Sequence, residues 1–351
     1  MKTDILSMTL DELTVLTVEA GFEKYRARQL MEWMCRGMSF DEMTNLSRNF
    51  RGWLSENTFY ALPRIERKLI SAVDGTVKYA FSLYDGQVIE SVVMKYKHGN
   101  TICISSQAGC RMGCRFCASN TGGLRRSLLP SEMLGQLIAA QRDTGERISN
   151  IVLMGIGEPL DNYDNVIRFL RLAGSSDGLN ISLRNISLST CGLADRIRQL
   201  AEEELPITLS ISLHAVNDAE RDQIMPVNRR FPIDTLLSVC RDYFIKTGRR
   251  ISFEYALIDG QNDTPEHAAA LAALLHRYFG SSMPFHVNLI PINEVEGRGF
   301  RRSRFAEAFQ QRLTALHVNA TIRRRLGPDI HASCGQLRAS LSPELSGESP
   351  T

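Results

Sequence analysis

Residues 101–117 read T-I-C-I-S-S-Q-A-G-C-R-M-G-C-R-F-C, a short apolar run that passes into a loop with Cys110, Cys114 and Cys117 at CxxxCxxC spacing. The first part predicts a strand, Thr101–Ser106, and the second a ligand loop at its carboxyl end. A further thiol, Cys334, stands alone in S-C-G-Q-L far downstream. Electron-transfer iron–sulfur clusters take four thiolates, so a three-cysteine loop points to a cluster with one iron left open to a substrate or cofactor. Zinc is the other reading of a short cysteine group inside cells and stays open here. It usually brings a second knuckle or nearby histidines, and the nearest downstream histidine is His214.

Outward from this stretch, short apolar strands alternate with amphipathic helices. Strands are predicted at Asn150–Gly155, Asn185–Thr190, Ile207–Leu213, Ile251–Ile258, His286–Ile292 and Ala320–Arg323. Helices are predicted at 130–144, 163–173, 193–202, 232–246, 264–278 and 303–316. Such alternation implies an α/β fold with a parallel sheet and right-handed crossovers, either open or curled into a full or partial barrel. Functional residues of these folds gather where strands end and loops begin.

Upstream the period changes. Residues 66–97 alternate with period two around Asp74-Gly75 and Asp85-Gly86, the mark of antiparallel hairpins. Residues 1–60 read as helical, with Thr9 capping an acidic first turn and apolar residues at helical spacing from Tyr25 to Arg36, until Leu62-Pro63 breaks the pattern. The expected organisation is a helical domain at 1–60, a β extension at 61–99, the core at 100–340 and a disordered tail at 341–351.

Composition sets the class. With 351 residues, 43% hydrophobic and 23% charged, the chain suits an ordinary globular protein with a large core. No run approaches the roughly 20 apolar residues of a membrane helix, and the acidic N-terminal segment does not read as a signal peptide. Eight cysteines, four of them within 103–117, make a poor disulfide framework and suit a reducing cytoplasm. Net charge is only +2. Arginines nevertheless come in groups: Arg125-Arg126, Arg229-Arg230, Arg249-Arg250, Arg298 with Arg301, Arg302 and Arg304, and Arg323-Arg324-Arg325. Arginine suits bidentate phosphate contact and base stacking, so RNA is a candidate partner.

A second motif, Met154-Gly155-Ile156-Gly157-Glu158-Pro159, follows the next strand, with glycines that allow close approach of a ligand and a carboxylate suited to a cationic amine. The cysteine loop with Phe116 before its last cysteine, together with this segment, resembles the radical S-adenosylmethionine (SAM) superfamily. T-I-C-I-S-S-Q-A-G-C at 101–110, S-I-S-L-H-A at 210–215, N-L-I-P-I-N at 288–293 and D-I-H-A-S-C-G-Q-L at 329–337 narrow the resemblance to the RlmN/Cfr group of adenine methyltransferases, with the RlmN branch the closer. The similarity spans about 85 to 338, and a small N-terminal RNA-binding helical domain of that group would fit residues 1–60.

The resemblance implies a partial (β/α) barrel and a [4Fe-4S] cluster held by Cys110, Cys114 and Cys117. It implies SAM binding by Gly157, Glu158, Ser189, Ser212, Leu213, His214 and Asn293, with two SAM molecules used per turnover. It further implies methylation of C2 of adenosine in 23S rRNA and tRNA, with Cys334 carrying the methyl group, Cys103 releasing the product through a disulfide and Glu90 as general base. A polar transfer cannot serve the electron-poor C2 carbon, whereas radical chemistry can. The expected partners are the two RNAs and an electron donor such as flavodoxin or ferredoxin, for a monomer without membrane contact. Two alternatives stand beside this reading: a Cfr-type C8 methyltransferase, which shares all the cysteines, and a noncatalytic iron–sulfur RNA-binding sensor. Cys35, Cys191 and Cys240 are read as packing residues.

Overall fold

A computed structural model describes residues 2–60, 62–120, 122–280, 282–292, 299–330 and 332. The N-terminal segment runs β1 (Thr3–Asp4), α1 (Leu10–Glu19), α2 (Tyr25–Cys35), α3 (Arg48–Asn57) and β2 (Thr58–Phe59), with β1 and β2 paired in parallel. Thr9 and Glu12 form a reciprocal capping box that satisfies the first free amides of α1. Leu13, Leu30, Met34, Phe50 and Leu54 bury the inner faces of the helices in the same hydrophobic cluster as the core. Polar ties add to this contact: the Ser131 hydroxyl donates to Asp4 Oδ2 at 2.7 Å and Arg168 Nε to the Ser7 carbonyl at 3.0 Å.

Strands β3 (Arg64–Ile70), β4 (Val77–Ser82) and β5 (Val88–Tyr96) form an antiparallel meander. Its turns need Gly75 and Gly86 in the left-handed region, at φ 70° and 78°. The meander runs on into the core. β5 pairs antiparallel with β6 (Gly99–Cys103), so extension and core share one ten-stranded sheet.

After β6 the chain folds into the short ribbon β7 (Gln107–Gly109) and β8 (Leu124–Ser127). It continues through α4 (Pro130–Thr144), β9 (Ile148–Leu153), α5 (Tyr163–Gly174), β10 (Ile186–Thr190), α6 (Ala194–Glu202), β11 (Thr208–Ser212), α7 (Asp218–Ile224), α8 (Ile233–Thr247), β12 (Ile251–Leu257), α9 (Pro265–Phe279), β13 (Phe285–Pro291), α10 (Ala306–Ala315) and β14 (Ala320–Ile322). The strands β6, β9, β10, β11, β12, β13 and β14 are mutually parallel in that order. β14 and β3 are the two edges, giving an open, partial (β/α) barrel.

The two faces of the parallel strands differ. Leu188, Leu209, Ile211, Phe253, Val287 and Leu289 are buried in the core beneath the helices. The alternate positions Ser187, Ser210, Ser252, Glu254 and Asn288 are polar and bond to one another, as in Ser187 to Ser210 at 3.1 Å and Asn288 Nδ2 to Glu254 Oε2 at 2.7 Å. Barrel interiors are ordinarily filled by bulky branched residues. A polar interior leaves a cavity at the carboxyl ends of the strands.

Strand β6 stops at Cys103, short of the predicted Ser106, because the chain bends to meet the second motif. The amides of Ser106 and Gln107 both donate to the Ile156 carbonyl, at 2.9 and 3.1 Å, and the Gly155 amide donates to the Ile104 carbonyl at 3.0 Å. The buried Gln136 side chain of α4 clamps the same bend, accepting from the Ser105 amide at 2.9 Å and donating to the Ser105 carbonyl at 3.0 Å. Glycine at 155 and 157 therefore serves backbone packing as well as any ligand. A Cβ on Gly157, which sits at φ 112°, would lie 2.7 Å from the Gln107 nitrogen and 2.8 Å from Ser106 Oγ. Gly157→Ala is expected to cost about 2 kcal/mol or more, from backbone strain plus overpacking. Urea unfolding measures this, and an unchanged midpoint would contradict the packing.

Candidate active site

Cys110, Cys114 and Cys117 line one cavity at the carboxyl ends of the strands, together with Gly157, Glu158, Ser189, Ser212 and His214. The loop that carries the thiols springs from the β7–β8 ribbon, where the Cys110 amide donates to the Gly123 carbonyl at 3.2 Å. Its far side is fixed by the Arg115 amide, which donates to the Ile224 carbonyl at 2.9 Å. Burial pushes the Cys110 thiol up to about 12, and it pushes Cys114 up as well, with Cys117 and Cys110 adding repulsion there. Thiolates in such a place need a cationic centre to compensate them.

A structural zinc takes four protein ligands, whereas a cubane takes one thiolate per iron, so that three thiolates leave one iron open. The three thiols that line this cavity fit the cubane.

Glu158 is 4% exposed. Its Oε1 accepts from the Leu160 amide at 3.0 Å and its Oε2 from the Cys191 amide at 2.7 Å, which orients the carboxylate at the cavity wall. Burial raises its pKa, and the Cys191 amide opposes that rise. The side chain is thus poised for a cation. His214 is buried with φ 59°, its Nδ1 accepting from the Ala256 amide at 2.9 Å and its ring edge-on to Phe116 at 5.0 Å. Leu213 differs from its neighbours: its side chain is fully buried in the core, while its amide donates to the Glu254 carbonyl at 3.0 Å. Any contact it makes with a ligand is through the backbone.

Burial and the nearby Arg221 charge depress the His214 pKa from 6.5 to about 3. The native state keeps the ring neutral down to that value, whereas the unfolded chain takes up a proton near 6.5. The stability from this residue is therefore complete above 6.5 and declines as the pH falls toward 3. From pH 7 to pH 5 wild type is expected to lose about 2 kcal/mol that His214→Gln does not lose. Denaturant unfolding at the two pH values checks this, and parallel losses in the two proteins would refute it.

Glu90 and Cys103 line a second compartment, which shares Met154, Gly155, Ile290 and Arg323 with the first. Glu90, on a strand where a carboxylate ordinarily faces water, is 2% exposed and lies 3.1 Å from the fully buried Lys78 Nζ. Burial raises the Cys103 pKa, with the Arg323 charge opposing. Asn293 and Cys334 lie outside the described residues, as do the predicted tail 341–351 and Arg298. Their neighbours bracket the site: Ile292 lines the first compartment and Ala332 the second.

Sequence reasoning missed three residues of this cavity and one buried behind its wall. Cys191, read as packing, is buried but also forms cavity wall beside Glu158, and Glu254 and Arg323 line the same space. Arg221, fully buried on α7, donates Nε to the Leu213 carbonyl at 3.0 Å, Nη1 to Asn228 Oδ1 at 3.0 Å, and Nη2 to the Cys191 and Ser212 carbonyls at 2.7 and 2.9 Å. The one available signal was the polar pair Ser252 and Glu254 at period two in an otherwise apolar strand.

A partial barrel with three thiols and a buried glutamate at its strand ends defines the radical SAM class of enzyme. The comparisons agree: residues 104–272 match the Radical SAM superfamily, and residues 3–59 match the ribosomal RNA large subunit methyltransferase N-terminal domain. The chain is 51% identical over 340 residues to the probable dual-specificity RNA methyltransferase RlmN of Alkaliphilus oremlandii, covering 96% of this chain and 98% of that one. It is 48% identical to the protein of the same name from Clostridium perfringens, covering 96% and 97%. A solved radical SAM methyltransferase from Sphaerobacter thermophilus superposes with a TM-score of 0.90 at 40% identity, covering 95% of this chain and 98% of that one. The chain belongs to the RlmN family of radical SAM methyltransferases. That family implies a [4Fe-4S] cluster and SAM, which the thiols and Glu158 fit. No helix among the described residues is long and apolar enough to cross a membrane.

Proposed function

We propose that this enzyme methylates C2 of adenosine in the peptidyl-transferase region of 23S rRNA and in tRNA just 3′ of the anticodon, with Cys334 as methyl carrier. The observation that carries the reading is the paired compartment: Glu90 and Cys103 open through Met154 and Gly155 onto the cavity of the cluster thiols, with Ala332 two residues before Cys334 on its wall. In this reading Cys110, Cys114 and Cys117 hold the cluster, and Glu158 receives the amino group of SAM. Ser189, Ser212, His214 and Asn293 contact SAM through polar groups, and Leu213 through its backbone. Bound there, one SAM would supply a methyl group and a second, together with the cluster, a deoxyadenosyl radical, two SAM molecules per turnover.

The residues then act in order. Cys334, as a thiolate, accepts the methyl group. After hydrogen abstraction from that group, its carbon joins the base and links Cys334 to RNA. Glu90 removes the C2 proton, and the unpaired electron of the adduct would pass to a one-electron acceptor, for which the oxidised cluster would serve, leaving a closed-shell crosslink. Cys103, as a thiolate, attacks the sulfur of Cys334; the carbon–sulfur bond breaks, its electron pair stays on carbon, and protonation completes the methyl group. The resulting disulfide is reopened by a reductant in a reducing cytoplasm, and the electron for the cluster that Cys110, Cys114 and Cys117 would hold would come from a donor of the flavodoxin or ferredoxin type.

Residues 1–60 serve as an RNA grip, and the chain acts as a monomer. The RlmN name of both relatives favours C2 over C8. The test is anaerobic turnover on rRNA and tRNA fragments, with the methyl position mapped by mass spectrometry. A C2 product is expected on both; a C8 product moves the chain to the Cfr type, and no product from cluster-loaded protein favours the sensor.

A further inference from the structure

The guanidinium of Arg221 is 0% exposed, and each of its four hydrogen-bond acceptors is an uncharged oxygen. A buried charge served by neutral acceptors alone costs stability unless an opposite charge lies near. Such a charge belongs to the cluster site: Cys191, whose carbonyl Arg221 holds, lines the cavity of Cys110, Cys114 and Cys117, and α7 ends against the cysteine loop, where the Arg115 amide donates to the Ile224 carbonyl at 2.9 Å. Burial lowers the Arg221 pKa, and Cys191, Cys114, Asp218 and Cys240 oppose that. A dicationic cubane bound by three thiolates carries net negative charge, and one-electron reduction adds another, so a nearby fixed cation favours the reduced state.

The same side chain joins two loops. Its Nη2 reaches the Cys191 carbonyl after β10 and the Ser212 carbonyl at the end of β11, while Nε holds the Leu213 carbonyl. Ser189, Ser212 and His214 on those strand ends face the cavity. The anchor is itself braced, since Asn228, which accepts from Nη1, donates to Asp222 Oδ1 at 2.7 Å.

We propose that Arg221 is a positioning residue with an electrostatic role: it is the fixed counter-charge of the iron–sulfur cluster, raising its reduction potential, and the brace that holds the two SAM-binding loops in register. The inference rests on the assignment of Cys110, Cys114 and Cys117 as cluster ligands.

Charge and geometry separate in two variants. Arg221→Lys keeps the charge and loses the planar fork, whereas Arg221→Met loses both. Anaerobically reconstituted proteins without SAM are titrated with reductant under electron paramagnetic resonance, and SAM affinity is measured by equilibrium dialysis. The midpoint potential is expected to move to more negative values in Arg221→Met and to stay near wild type in Arg221→Lys, while both bind SAM about tenfold more weakly. An unshifted potential in Arg221→Met, or the same shift in Arg221→Lys, overturns the electrostatic role. If Arg221→Met takes up no iron, its apo protein decides: a folded apo protein with a wild-type melting curve supports the counter-charge, and an unfolded one overturns it. Cys114→Ala is the control for the underlying assignment: a cluster retained there overturns the ligand set on which the inference rests, whereas a cluster lost there with an unshifted potential in Arg221→Met overturns the arginine's role alone.

Discussion

Cys103→Ala is expected to trap the enzyme on its substrate: a covalent RNA–protein adduct accumulates to about one per enzyme, and steady-state methylation falls by a factor on the order of 10³ or more. In the proposed reaction the removed thiol is the group that attacks Cys334 once carbon has joined the base, so the adduct should persist without it. Cys103 sits at the end of β6, in the compartment that Ala332 also lines. Denaturing gel electrophoresis with labelled RNA measures the adduct. Cys103→Ala combined with Cys334→Ala should show none, since the linking sulfur is then absent. Free methylated RNA at the wild-type rate from Cys103→Ala would remove this thiol from the reaction.

Cys114→Ala is expected to have the second large effect, through the cluster instead of the carrier. Three thiolates with one vacant iron leave no spare protein ligand, so losing one should abolish the visible absorption of the cluster and lower methylation by about 10³ or more. The same variant should melt near the wild-type temperature as apo protein, because the thiol is held at a loop and not within the helix-covered core. Iron and sulfide analysis with thermal unfolding checks both halves. A variant that keeps its cluster would point to another ligand, with Cys191 on the same cavity wall as the first place to look.

The parallel strands were legible in the sequence because each is a short apolar run followed by a helical period, and β9, β10, β12 and β13 lie within a few residues of their expected positions. The ribbon β7–β8 was not. Its strands have three and four residues, too few for a period, and its path depends on Gly109, whose Cβ would fall 2.0 Å from the Gly123 carbonyl oxygen. Helix α7 was missed for the same reason, with seven residues and a capping Asn217 but no apolar stripe.

Side-chain roles were legible where spacing encodes them and hidden where partners come from distant strands. CxxxCxxC and GxGEP carry their chemistry in a few consecutive residues. The burial of Glu90 depends on Lys78 across β4 and β5, a pairing that alternation alone does not reveal. Arginines were the least readable. Arg126, grouped with candidate RNA grips, is bound by Asp85 and Glu132 at 2.6 and 2.7 Å, and Arg249 donates to the Ile207 carbonyl at 3.2 Å. Arg221, alone among acids in D-A-E-R-D-Q-I, reads as a surface residue and is the largest fully buried side chain among the described residues.

The central claim is that the methyl carbon reaches RNA by way of Cys334 and loses a hydrogen there. Turnover with SAM whose methyl group carries three deuterium atoms tests it most directly, with mass analysis of the methyladenosine and of the released deoxyadenosine. The account predicts two deuterium atoms in the RNA methyl group and one in deoxyadenosine. A methyl group that keeps all three, with unlabelled deoxyadenosine, would contradict it.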